Sequence, residues 1–183
     1  VSLEGLNLNI SGKNYDLNGI TRIIVIGAGK ATPAMALALE EILGEKITDG
    51  LITTKYGHKL PLSNIETVEC GHPVPDENGV NATLRLLQKI SKLSSDTLII
   101  CLFSGGGSSL LPSPAEGITL EDKQETTKLL LETGCTIDEI NTIRKHISKS
   151  KGGLIAKAAH PAKIVSLILS DVIGDKLDTI ASG

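Results

Sequence analysis

Short, continuously apolar runs recur along the chain and predict buried strands. The run at 21–26 is dominated by isoleucine and valine, and the run at 97–103 is equally apolar. Strands that are covered on both faces, as in a parallel sheet, have this pattern. Shorter strands are predicted at 50–54, 64–69 and 164–169.

Helical spacing of apolar residues separates these strands. The helix predicted at 77–92 is the clearest, because its apolar residues form one stripe and Asp76 stands where an N-cap residue belongs. Thr119 and Thr136 are each followed three residues later by an acidic residue, which marks two more helix starts. Together the patterns predict helices at 30–43, at 120–133, from 137 onward, and from the glycine pair at 152–153 to residue 159.

The alternation of strands and helices predicts an α/β fold. We expect a doubly wound, mostly parallel sheet with helices on both faces, as in Rossmann-like domains. Residues 1–18 alternate apolar and polar side chains around a turn, which predicts a short surface β-hairpin ahead of the sheet. The proline-containing stretch at 112–117 is too short to separate domains, so residues 1–183 are expected to form one α/β domain.

The charge balance excludes some classes of partner. The 183 residues carry 18 basic and 21 acidic side chains, a formal net charge of −3, and only 2% aromatic residues. We therefore expect no nucleic-acid and no membrane partner, since both favour basic surfaces and single-stranded nucleic acid stacks on aromatic rings. Three widely separated cysteines and no recognisable signal peptide lead us to expect a reducing cytoplasm.

A glycine-containing turn follows the first strand of the predicted sheet. Gly27 and Gly29 would let backbone amides approach an anion at a helix N-terminus, and Lys30 beside them could neutralise phosphate oxygens. The turn is not a Walker A loop, and it lacks the third glycine and the downstream acidic residue of a dinucleotide-binding turn. A tight turn with a solvated lysine is an equally good interpretation.

Three consecutive glycines follow the strand at 97–103. Glycine costs conformational entropy on folding, so packing alone is a weak reason for three of them. The nucleophile-elbow pattern of hydrolases does not fit, since Leu102 occupies its first glycine position. The amides and neighbouring hydroxyl groups instead predict an anion cradle made of Ser104, Gly105, Gly106, Gly107, Ser108 and Ser109.

Acidic residues follow the last predicted strand. Asp171 and Asp175 could hold Mg²⁺ or accept a proton from a hydroxyl group. The structural alternative is a turn-capping Asp171 and a solvated Asp175. Because ligands of doubly wound sheets bind beyond the carboxyl ends of strands, three such strand ends together predict an active site.

A basic run at 144–151 lies on and after a predicted helix. Such runs are usually solvated, but Arg144 and Lys145 could clamp a carboxylate or a phosphate. No two of the four histidines have metal-ligand spacing. His72 stands in a proline-braced loop and fits a cleft and a structural position equally well.

Five motifs, taken in order, resemble the family of glycerate 2-kinases whose second domain is called MOFRL. They cover nearly the whole chain and lie at 25–31, 71–76, 103–110, 141–146 with 151–153, and 170–175 with 181–183. The resemblance implies an ATP- and Mg²⁺-dependent kinase that phosphorylates the 2-hydroxyl group of D-glycerate. It also implies an active site between a larger N-terminal α/β domain and a smaller C-terminal domain.

The same resemblance implies roles for single residues. Lys30 would contact the transferring phosphate, and the loop from Ser104 to Ser109 would cradle the nucleotide. Asp171 would hold metal or act as a base. Asn141, with Arg144 and Lys145, would contact substrate or phosphate.

Members of that family are longer than this chain. We therefore expect a part of the first domain, without kinase activity of its own and prone to self-association through an apolar surface. Two other functions stay open at this point. One is an NAD(P)H-dependent hydroxypyruvate reductase, and the other is a domain that binds a nucleotide without turnover.

Overall fold

Three short strands open the chain, and five further strands form a separate parallel sheet. The computed structural model describes residues 1–183. The first group pairs antiparallel in chain order and comprises β1 (Ser2–Glu4), β2 (Asn7–Ile10) and β3 (Lys13–Asp16). The second group comprises β4 (Arg22–Ala28), β5 (Ile47–Lys55), β6 (Glu66–Cys70), β7 (Thr97–Ser104) and β8 (Lys163–Leu169).

The first strand of the parallel sheet lies at its centre. The strand order is β6-β5-β4-β7-β8, and every neighbouring pair is parallel. From β4 the chain adds β5 and β6 on one side, and β7 and β8 then lie on the other side of β4. The carboxyl ends of β4 and β7 are therefore the topological switch point, where ligands of such folds bind.

Six α-helices connect or follow these strands. They are α1 (Thr32–Leu43), α2 (Glu77–Ile90), α3 (Gly107–Leu110), α4 (Leu120–Glu132), α5 (Ile137–His146) and α6 (Leu154–Ala159). Short 3-10 turns lie at Gly44–Lys46 and Ile180–Ser182. None of the helices is long and apolar enough to cross a lipid bilayer.

Side-chain caps begin three helices where the sequence predicts them. Asp76 accepts a hydrogen bond from a first-turn amide of α2 at 2.9 Å. Thr119 with Asp122, and Thr136 with Glu139, form reciprocal capping boxes ahead of α4 and α5. Each cap satisfies an amide that no helical acceptor reaches, so local sequence fixes these starts.

Apolar side chains cover both faces of the parallel sheet. On one face, residues of β4, β5 and β7 pack with α1 and with the N-terminal strands. On the other face, the opposite sides of the same strands pack with α2 and with Ala159 of α6. The prediction of a doubly wound α/β fold is confirmed.

The N-terminal segment differs from the predicted surface hairpin. A third strand, β1, precedes the two predicted ones, because Gly5 in a left-handed conformation turns the chain back on itself. Leu8 and Ile10 are buried in the same cluster as α1. The segment is thus a small antiparallel sheet that covers part of the core, and only its outer face is solvated.

Candidate functional site

The glycine turns after β4 and β7 touch each other at the switch point. The Lys30 amide donates to the Gly105 carbonyl at 2.9 Å, and the Ala31 amide donates to Ser104 Oγ at 3.0 Å. Gly29 has a φ of 148°, and a side chain there would collide with Ser104. Glycine is therefore required at this position by close approach as well as by backbone conformation.

The two turns differ in the donors that they leave for a ligand. The amides of Gly29, Lys30 and Ala31 all donate within the protein, and the hydroxyl groups of Ser104 and Thr32 lie 3.1 Å apart. In contrast, the amides of Gly105 and Gly106 donate to no acceptor within the protein. The turn after β7 thus offers free donors, whereas the turn after β4 uses the amides of Lys30 and Ala31 to hold the turn after β7 in place.

Lys30, His72 and Asp171 surround the turn after β7. A side chain on Gly105 would meet the Asp171 carboxylate, and a Cβ on Gly106 would lie 2.6 Å from His72 Nε2. Burial lowers the pKa of His72, and the positive charges of Lys30 and Lys55 lower it further. We call the space bordered by Lys30, His72, Gly105, Gly106 and Asp171 the strand-end cleft.

His72 is a residue that the sequence left undecided. Its loop is far from the glycine turns in sequence, and only the fold brings its imidazole beside Gly106. A histidine ring between two lysines and one carboxylate can donate a hydrogen bond or exchange a proton near neutral pH.

Asp171 and Asp175, the two predicted acidic site residues, border different cavities. Asp171 borders a cavity of about 160 Å³ together with Ser104 and Ser108, whereas Asp175 borders a different depression beside Leu177. No group of three or more His, Cys, Asp or Glu residues is close enough to hold a metal ion. Asp171 fits a Mg²⁺ ion of the kind held by one carboxylate and by phosphate oxygens, and Asp175 does not share that position.

A buried chain of hydrogen bonds anchors the turn after β7 to α5. Ser182 donates to Asn141 Oδ1 at 2.8 Å and lies 2.8 Å from the Ser108 hydroxyl group. Asn141 also donates to the Thr179 carbonyl at 3.5 Å. Asn141 is only 3% exposed, yet it borders the same small cavity as Ser108 and Asp171.

The two predicted basic residues of α5 point in different directions. Arg144 borders the cavity beside Asp171 and a second, larger cavity. Lys145 instead packs against Gly152 and Gly183, outside both cavities. Of the glycine pair after α5, Gly152 therefore lies beside Lys145.

The larger cavity measures about 670 Å³, and three lysines that were not predicted as site residues border it, Lys123, Lys128 and Lys151. Lys123 on α4 is 5% exposed and Lys151 is 2% exposed. We call this space, with Lys123, Arg144 and Lys151 in its wall, the basic cavity. Ser108 and Arg144 border both the basic cavity and the smaller one, so the two spaces adjoin.

Comparison with known proteins gives three consistent matches. Residues 2–183 match a family described as "Domain of unknown function (DUF4147)". D-glycerate 2-kinase of Thermotoga maritima is 50% identical over 165 residues, which make up 90% of this chain and 40% of that protein. A protein of Agrobacterium vitis named "Putative hydroxypyruvate reductase" is 49% identical over 162 residues, 88% of this chain and 42% of that protein.

A solved structure agrees with these sequence matches. The crystal structure of glycerate kinase from Thermotoga maritima superposes with a TM-score of 0.86 at 50% identity, over 88% of this chain and 39% of that one. The similarity to glycerate kinases that the motifs predict is thereby confirmed. The chain spans about two fifths of the length of these relatives.

Proposed function

This chain belongs to the DUF4147 family, and on that premise we propose that it forms the phosphate-handling side of an ATP-dependent glycerate kinase. The reaction is transfer of the terminal phosphoryl group of ATP to the 2-hydroxyl group of D-glycerate. Mg²⁺ is the proposed counter-cation, and Asp171 has two alternative parts, ligand of that ion or acceptor of the hydroxyl proton. The reducing cytoplasm remains the proposed compartment, in keeping with three free cysteines.

The observation that carries this proposal is the meeting of three strand ends around one cleft. Lys30 follows β4, the free amides of Gly105 and Gly106 follow β7, and Asp171 follows β8. Phosphoryl transfer needs donors and cations that hold the phosphate, together with an acceptor for the hydroxyl proton. These groups follow the carboxyl ends of three neighbouring strands of one parallel sheet.

Each group has a defined part in the proposed transfer. The free amides hold phosphate oxygens of the nucleotide, and the Lys30 ammonium neutralises charge on the transferring group. The glycerate oxygen bonds to the terminal phosphorus as the bridging bond to ADP breaks. Asp171 takes the hydroxyl proton, and His72, which lies beside it, can pass that proton on.

Nucleotide binding by the chain tests this proposal, because Lys30 and the free amides proposed to hold the nucleotide all belong to this chain. We expect ATP to bind in calorimetric titration and Lys30→Met to weaken binding about tenfold, as for one lost charge-assisted contact. Lys46→Met, on the 3-10 turn after α1, is the matched control and should bind ATP normally. Absence of ATP binding by the unaltered chain would overturn the proposal, and normal binding by the Lys30 variant would remove Lys30 from it.

The name of the Agrobacterium vitis relative supports a second candidate, reduction of hydroxypyruvate with a nicotinamide cofactor. Dinucleotide sites of this fold use an acidic residue at the end of the second strand to bind the ribose. Here β5 ends in Thr53, Thr54 and Lys55. The same titration with NADH in place of ATP separates the two candidates, and tighter binding of NADH would favour the reductase.

A further inference from the structure

Three of the cations that border the basic cavity form no ion pair within the protein. The structure contains three ion pairs, and they join Arg85 to Glu66, Lys89 to Asp49 and Lys128 to Glu132. None of them includes Lys123, Arg144 or Lys151. The acidic residues at the border of the cavity are Glu121, Glu125 and Glu132, all of them exposed on α4.

The protein also offers few hydrogen-bond acceptors to the two lysine ammonium groups. Lys123 donates one hydrogen bond, to the Ile147 carbonyl at 3.3 Å, and the Lys151 ammonium has no acceptor. Burial lowers the pKa of Lys151 to about 7, and the charges of Lys123 and Arg144 contribute to the shift. Burial and the charge of Arg144 lower the pKa of Lys123 to about 8.

Such a cluster is costly unless an anion joins it. A buried charge loses its hydration, and like charges repel strongly where water is excluded. One carboxylate or phosphate between the three cations would supply both the missing acceptor and the opposite charge. Buried basic groups with perturbed pKa values that face an open cavity are candidates for a functional site.

The wall of the cavity also includes part of the turn after β7. Ser108 and Ser109 border it and belong to the same turn as the free amides of Gly105 and Gly106. The Ser109 hydroxyl group donates to the Gly106 carbonyl at 3.2 Å. A small molecule could therefore place its anionic end among the cations and its other end toward the strand-end cleft.

We propose that Lys123, Arg144 and Lys151 form a second anion-binding site, separate from the strand-end cleft, for the carboxylate or phosphate group of a small molecule. The two sources of such an anion are the acceptor acid, an identification that rests on the proposed function, and a phosphate of free or nucleotide origin. Binding of either anion would draw a proton onto Lys151.

The experiment is calorimetric titration of the protein with inorganic phosphate and, separately, with D-glycerate. We expect at least one of them to bind and Lys151→Met to weaken it about tenfold or more. Lys149→Met is the matched control, because Lys149 lies two residues away on the exposed surface, and it should keep the original affinity. Tighter binding of D-glycerate identifies the acceptor acid as the occupant, and tighter binding of phosphate identifies a phosphate group.

A second readout separates an anion site from a merely structural lysine. At pH 8 the titration of the unaltered protein, done in two buffers of different ionisation enthalpy, should show proton uptake that Lys151→Met removes. Lys123→Met should weaken the same anion even if the Lys151 variant folds poorly. Absence of binding by both anions, or binding that neither variant changes, overturns the proposal.

The test of the second anion site can succeed or fail whether or not ATP binds. If ATP fails to bind while phosphate or D-glycerate binds through Lys151, the proposed function fails and the second anion site stands. If ATP binds through Lys30 while neither small anion binds, the second anion site fails and the proposed function stands.

Discussion

The strand-end cleft and the basic cavity share one turn, since Ser108 of the basic cavity follows Gly105 and Gly106 of the cleft, yet the two sites offer different groups to an anion. The cleft offers backbone amides of Gly105 and Gly106 and the exposed ammonium of Lys30. The cavity offers buried cations without a counter-charge. Amide dipoles keep their orientation and their neutrality at every pH, whereas a buried lysine changes charge with its surroundings.

The strand-end cleft therefore tests the effect of close packing, and the basic cavity tests the effect of buried charge. The cleft depends on two turns that meet closely, so it should be sensitive to added atoms. The basic cavity depends on charge, so it should be sensitive to pH and to removal of an ammonium group. Substitutions in the two places are therefore expected to have opposite effects on stability.

The largest expected effect comes from breaking the junction between the turns. Gly29→Ala adds a Cβ that would collide with Ser104 and forces a φ of 148° on a residue with a side chain. We expect it to lower the free energy of unfolding by about 3 kcal/mol or more. Chemical denaturation measures this loss directly.

Gly117→Ala is the control for the strain of a positive φ alone. Gly117 has a φ of 78° in an open loop, with no atom within 4 Å of an added Cβ. Its substitution should cost about 1 kcal/mol. Equal losses for Gly29→Ala and Gly117→Ala would show that the two turns do not depend on close contact.

The junction was largely predictable because its determinants are local. Glycine at a strand end, Asp76 before α2 and Thr119 before α4 each act on amides a few residues away. The order of the elements then fixed which strand ends meet, since parallel strands joined by helices place their carboxyl ends at one edge. Neighbouring residues and chain order were thus sufficient to predict the fold and the meeting of the two glycine turns.

The basic cavity was not predicted, because tertiary packing creates it. Lys151 sits in a run of charges that is typical of a solvated surface, and only the complete fold buries it. A weak local signal did exist for Lys123, which lies three residues after the buried Leu120 and so shares its face of α4. His72 likewise joins the cleft through a contact that no sequence spacing reveals.

The second effect, smaller and opposite in sign, comes from removing a buried charge. Because the folded-state pKa of Lys151 is lowered to about 7, the unfolded chain binds more protons than the folded one between about pH 7 and pH 10. The unfolding free energy should therefore rise with pH across this range, by at most about 1.4 kcal/mol per pH unit from this group.

Lys151→Met should flatten that rise and stabilise the protein at pH 7 by about 1–3 kcal/mol, since a buried charge without a partner is replaced by an apolar side chain. Denaturation at pH 7, 8 and 9, in buffers free of phosphate, measures both changes. Lys149→Met should keep the pH dependence of the unaltered protein. A Lys151 variant that is less stable at pH 7 and retains the full slope contradicts the description of an unbalanced cation cluster.

The smallest effect is electrostatic and confined to the strand-end cleft. Lys30 lowers the pKa of His72, although burial of the ring is the larger cause. Lys30→Met should therefore raise the pKa of His72 and recover only part of the shift, because the ring stays buried and Lys55 stays charged. Proton NMR of the imidazole between pH 5 and pH 8 follows the change, with His72→Gln to assign the resonance.

Lys13→Met, on the exposed β3, should leave the titration unaltered, because a distant exposed charge is screened by salt. If the pKa of His72 is the same with and without the Lys30 charge, the two side chains do not share the cleft. The electrostatic comparison between the cleft and the basic cavity would then be wrong.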